Sequence, residues 1–241
     1  MPKPLASLLF ALLLLLPIAA SAAELRLAVD TSTEMPWAQI EGDTLKRGIH
    51  QDLGKAIAAR LARTAVFMVL PRQRLRLALE RGEVDLACVL TPEWLPGDFD
   101  WGIRFIDDAD VVLSLASARA PRRMQDLAGM GLGTVNGFRY PELEAQLGTR
   151  FVRDDAPNAT NNLRKLEYGR IEHAVTNERF LNYQQKQGLL KAPLHPPLLI
   201  SRQRTGCAVS RLGRVKAAEV SAAIEQLQRS GTVAKILAQY R

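Results

Sequence analysis

Four short clusters of polar and aromatic residues follow apolar runs in this chain, and their types suit recognition better than turnover. They are Asp30-Thr31-Ser32 with Pro36-Trp37, Thr91-Pro92-Glu93-Trp94, Asn136-Gly137-Phe138-Arg139-Tyr140, and Asn177-Glu178. Trp37 and Trp94 offer flat apolar walls. Arg139 offers a planar cation, and residues 136–140, opening a helix, can turn backbone N–H groups toward an anion. Catalytic signatures are missing: there is no P-loop, no Gly-x-Ser-x-Gly and no cysteine near a histidine in the sequence. His50, His173 and His195 share no metal-ligand spacing with the cysteines. Gly129-x-Gly131-x-Gly133 has Asn136 where a dinucleotide fingerprint wants its third glycine. Neither a catalytic residue, a metal nor a cofactor is expected.

These clusters need elements to hold them. Residues 25–29, 65–70, 86–90, 111–115, 132–135, 151–153, 174–176 and 207–210 read as short strands. Helical patterns fall at 49–61, 75–80, 141–147, 161–168 and 179–187, with a helical tail from Val215. Alternation of the two predicts α/β architecture, parallel sheets with helices on their faces. In open sheets of that kind ligands bind beyond the carboxyl ends of strands, where the four clusters fall. Residues 91–110 hold two prolines, two glycines and two tryptophans without periodicity, so they read as a long loop.

The chain of 241 residues is 47% apolar and 24% charged, which excludes collagen, low-complexity disorder and a multispan membrane protein. Its net charge of +7 would suit a nucleic-acid binder, but the N-terminus argues otherwise. Lys3, an apolar run over 8–16, Pro17 and Ala20-Ser21-Ala22 make a signal peptide of residues 1–22, cleaved after Ala22 or Ala23. The run is too short to span a bilayer, which takes roughly 20 residues. An exported, periplasmic product is expected, with no nucleic-acid partner.

One pattern occurs twice. Leu79-Glu-Arg-Gly82-Glu-Val84-Asp85-Leu-Ala87 returns as Leu166-Glu-Tyr-Gly169-Arg-Ile171-Glu172-His-Ala174. Either any junction from helix to parallel strand has this form, or the chain holds two similar α/β lobes.

The mature chain resembles the bacterial solute-binding proteins of family 3, the periplasmic receptors of polar amino-acid uptake. The resemblance rests on Gly48-Ile49-His50-Gln51-Asp52-Leu53-Gly-Lys-Ala56-Ile57, on Leu79-x-x-Gly82-x-x-Asp85, and on Asp126-Leu127-x-Gly129. It continues in Leu166-x-x-Gly169-Arg170 and in Ile224-x-x-Leu227 followed by Gly231-Thr-x-x-x-Ile236. It implies a two-lobed fold in which 24–107 and 203–241 form lobe 1 and 108–202 form an inserted lobe 2. Two hinge crossings, near 107–111 and 201–205, join them. The implied ligand site is Trp37, Thr91, Trp94, Asn136, Gly137, Arg139, Tyr140, Asn177 and Glu178. Two departures stand out. The family's Thr-x-x-Arg, whose arginine clamps the ligand carboxylate, is here Thr91-Pro-Glu-Trp94. The aspartate that pairs with the ammonium is here Asn177, beside Glu178. Arg139, Arg104 and Arg72 are the candidates to replace the missing cation.

The implied function is binding of a small polar solute, an amino acid or related compound, by a monomer that delivers it to an inner-membrane ABC transporter permease. A sensing module for a membrane receptor and a periplasmic dehydratase-like enzyme are the alternatives. In the fold resembled, the strands holding Cys88 and Cys207 are neighbours, and an oxidising compartment permits a bond. A disulfide and two buried thiols are both open readings.

Overall fold

The computed structural model describes residues 22–240; the signal peptide expected over 1–22 lies, but for its last residue, outside them. The chain opens with β1 (Glu24–Asp30), β2 (Gln39–Glu41), β3 (Thr44–Arg47), α1 (Ile49–Arg60), β4 (Thr64–Leu70), α2 (Arg72–Glu80) and β5 (Leu86–Leu90). Then come β6 (Asp100–Trp101), β7 (Ile106–Ser114), β8 (Gly131–Val135), α3 (Pro141–Leu147), β9 (Val152–Ala156), α4 (Ala159–Glu167) and β10 (His173–Asn177). It ends with α5 (Glu178–Lys186), β11 (Leu198–Val209), α6 (Ala217–Arg229) and α7 (Thr232–Gln239).

The main sheet runs β4-β1-β5-β11-β7-β10-β8-β9, with β6 on β11. β4, β1 and β5 are parallel, as are β10, β8 and β9. Between these triads β11 and β7 run antiparallel to each other, paired from Leu198↔Val112 to Thr205↔Ile106. The apolar cores separate the same way. Ile49, Leu53 and Ile57 on one stripe of α1 pack with β1, β5 and the buried face of α6. Leu75 and Leu79 of α2 cover the opposite sheet face. In the other half, α4 and α5 bury Leu163, Leu166, Phe180 and Leu181 on one face, and α3 buries Leu143 on the other. This is the two-lobed α/β architecture of the periplasmic binding proteins.

The repeated motif has one geometry in both places. α2 and α4 end on Gly82 and Gly169 at φ 69° and 64°. One residue on, Glu83 N–H reaches Ala78 O and Arg170 N–H reaches Lys165 O, satisfying the last free carbonyls of each helix. Each chain then enters a strand at the sheet's interior.

Two expectations need correction. The stretch read as loop to residue 110 already becomes strand at Ile106, and the last strand, expected at 207–210, begins at Leu198. Asp107, Asp108 and Asp110 on one strand and Arg202 and Arg204 on the other hide the β pattern. These strands cross between lobes, where few side chains meet a core and polar residues are tolerated.

Cys88 and Cys207 are register partners on β5 and β11 and are joined by a disulfide.

Candidate functional site

A cavity of about 130 Å³ lies between the lobes. One water needs about 10–15 Å³ on this scale, so the space suits a molecule of roughly ten non-hydrogen atoms. Of the residues expected there, Trp37, Trp94, Arg139, Tyr140 and Asn177 line it. Thr91 is buried outside the wall, its carbonyl accepting the Trp94 and Leu95 N–H groups. Asn136 and Gly137 are exposed and off the wall, with Asn136 N–H given to Ala156 O. Glu178 faces a larger, open, charged recess shared with Arg179, Arg202 and Arg204.

Local structure explains each placement. Trp37 is buried, and its indole Nε1–H donates to Asn177 Oδ1 across the cleft at 3.2 Å. The same oxygen accepts Phe180 N–H at 2.7 Å, so Asn177 caps α5 as well as bridging the lobes. Tyr140 Oη accepts Val135 N–H, and its phenol is pushed far up by burial. Arg139 is half exposed and paired with Glu144 at 3.1 Å. It is a rim cation.

Five ionisable wall residues lie outside the expected site, Glu34, His50, Arg72, Asp108 and Asp110, of which Arg72 alone was a candidate for the missing cation. Arg72 opens α2 directly after Pro71 and lies largely buried, 4.3 Å above the Phe138 ring of the other lobe. Its Nε stands 2.8 Å from Asp30 Oδ2, at ion-pair distance but off the line of a hydrogen bond. Its Nη1 is buried with no hydrogen-bond partner. Burial lowers the guanidinium's affinity for its proton, and Asp30 and Tyr140 counter that.

Asp108 and Asp110 sit two apart on β7 and so share a face, opposite Gln203 and Ser201 of β11. Burial pushes Asp108 up to about 6, and burial plus the Asp108 charge pushes Asp110 up to about 7. Glu34 is raised by burial, although its carboxylate accepts Thr160 N–H in the first turn of α4 at 2.8 Å. His50, also on the wall, is lowered to about 4 by burial and by Arg72, so it is neutral. The cavity therefore combines aromatic walls, one buried cation with a free donor, and carboxyls poised to ionise against a cation. A sequence signal existed for Arg72, since the missing clamp demanded a cation elsewhere. Asp110 stood at the end of a presumed loop.

Among the described residues, no group of three or more His, Cys, Asp or Glu side chains could hold a metal, and no helix is long and apolar enough to cross a membrane.

The two-lobed architecture around this cavity is the fold of the periplasmic binding proteins. An ancestral arginine-binding protein bound to arginine superposes with a TM-score of 0.75 at 19% identity, over 91% of this chain and 99% of that one. A substrate-binding protein of an ABC uptake transporter from Streptococcus pneumoniae, with bound histidine, gives 0.74 at 15% identity, over 90% and 92%. An ancestral amino acid-binding protein, a precursor of cyclohexadienyl dehydratase, gives 0.73 at 17%, over 90% and 95%. No protein-family profile matches the chain. No curated protein matches it either.

Proposed function

We propose that this protein is a periplasmic receptor that binds a small polar solute, an amino acid or close relative, and delivers it to an inner-membrane ABC transporter. The carrying observation is the interlobe cavity with Arg72 Nη1 unpartnered on one wall and Asp108 and Asp110 on the strand that crosses between lobes. Arg72 takes the place of the absent clamp for a carboxylate, and the aspartates take that of the absent partner for an ammonium. The aromatic residues close over the apolar part of the ligand. Residues 24–107 with 203–241 form one lobe and 108–202 the other. β7 and β11 are the two crossings about which the lobes close, a monomer suffices, and residues 1–22 direct export.

A thermal-shift screen of the twenty L-amino acids, followed by calorimetry, tests this, because a ligand that binds only the folded state raises apparent stability. L-arginine and L-histidine come first, being the ligands bound in similar structures. At least one amino acid is expected to bind in the micromolar range or tighter, and Arg72→Met to weaken it more than tenfold, about 1.4 kcal/mol. Arg139→Ala, at the rim, is expected to weaken it less. Absence of any stabilisation by the full set would defeat the amino-acid assignment.

A further inference from the structure

We propose that the Cys88–Cys207 disulfide is a positioning device for the cavity: it holds Val89 in a bulge that turns this side chain onto the cavity wall. The inference rests on the cavity being the ligand site.

The register shows the bulge. Gly206 pairs with Leu90 and Cys207 with Cys88, so one step along β11 spans two along β5 and Val89 has no partner. The packing shows the same. Leu86, Ala87 and Cys88 alternate between the two cores of this lobe, as strand residues must. Val89 then packs on the same side as Cys88 instead of crossing, and Leu90 returns to the other core. Val89 and Leu90, consecutive in the strand, both line the cavity.

The backbone shows what opposes it. Val89 has φ 61°, in the left-handed region, where a β-branched residue is a true outlier and glycine is the usual occupant of a bulge. Something must hold it there. The disulfide fastens the residue immediately before it to β11. At the bulge β11 is closely backed by Ile103, whose carbonyl oxygen would lie 2.8 Å from a Cβ at Gly206. The residues on both sides of Val89 are thus tied to β11, Cys88 by the disulfide and Leu90 by its pairing with Gly206. Without the bond, the sequence favours a regular strand, in which Val89 and Leu90 exchange faces and the wall is rebuilt.

The decisive measurement needs no ligand. A left-handed residue places its own N–H close to its Hα, so isotope-labelled wild type is expected to give a strong intraresidue HN–Hα NOE at Val89. In C88S/C207S that NOE is expected to collapse to the weak signal of an extended strand. If two buried hydroxyls unfold the lobe, wild type held in excess dithiothreitol serves instead. The reductant is oxidised to its cyclic disulfide and both thiols stay packed. A left-handed Val89 in the bond-less protein would overturn the proposal.

The second arm uses L-arginine as probe. Bond loss is expected to weaken it at least tenfold when residue 89 is valine, and less than threefold in a V89G background, since glycine holds the bulge unaided. An equal loss in both backgrounds would mean general destabilisation and would also overturn the proposal. If wild type does not bind L-arginine, this arm reports on the choice of probe alone, and the NOE comparison still decides the proposal.

Discussion

The motif at residues 79–87 and its echo at 166–174 share a helix end, a left-handed glycine and an entering strand, yet the acidic residue in each does opposite things. Asp85 is fully buried and accepts Arg26 N–H, the Arg26 guanidinium and Arg214 N–H, tying β1 and the segment before α6 to the start of β5. Glu172, its counterpart, is 69% exposed, with only the buried imidazole of His173 at 4.0 Å. The shared geometry comes from glycine and apolar spacing. The charge is free to differ, and in one lobe it has become a three-way fastening. A local pattern can therefore repeat faithfully while the long-range role of its residues does not.

Breaking Asp85 should give the largest effect. Asp85→Ala leaves Arg26 without its partner and is expected to cost about 3–5 kcal/mol, read by urea unfolding. Glu172→Ala should stay within about 0.5 kcal/mol, as exposed changes do. Comparable losses at both positions would erase the contrast.

The glycines sharpen the comparison. A Cβ on Gly82 would meet Leu212 O at 2.7 Å, whereas one on Gly169 would meet nothing within 4 Å. Gly169→Ala should cost about 1 kcal/mol for the φ alone, and Gly82→Ala at least about 2 kcal/mol, because a clash is added. If thermal unfolding shows the order reversed, Gly82 is not packed as described.

The cavity contains a contrast of its own. Arg72 keeps its charge across ordinary pH, while Asp108 and Asp110, raised to about 6 and about 7, are protonated at pH 5 and ionised at pH 8. The groups around them include Arg179 near Asp108 and Glu142 near Asp110. An ammonium ligand competes with those protons, so affinity should rise with pH. L-arginine is expected to bind about tenfold more tightly at pH 8 than at pH 5, a difference of about 1.4 kcal/mol. Asp110→Asn should remove most of that slope. A flat calorimetric profile in the unmodified protein would take the aspartates out of the site.

What the sequence could reveal follows from how local each signal is. The echo, the stripe of Ile49, Leu53 and Ile57, and Trp37 and Trp94 on the cavity wall were legible because each depends on a few neighbouring residues. The length of β7 and β11 was not, since Asp107, Asp108, Arg202 and Arg204 occupy positions where a core strand would be apolar. Asp110 was missed as a site residue for a related reason. It sits inside a strand, and the fold, not the local sequence, turns it toward the cavity.

The last strand of the chain, β11, occupies the middle of the sheet, between β5 and β7. A polypeptide made from its amino end thus lacks its central ladder until residue 209 has emerged. Until then β5 has no partner on that side, Cys88 has no partner thiol, and α6 and α7 are not there to cover α1. Completion of the first lobe therefore waits on nearly the whole chain, while β7, β10, β8 and β9 of the second pair among themselves from residues already made.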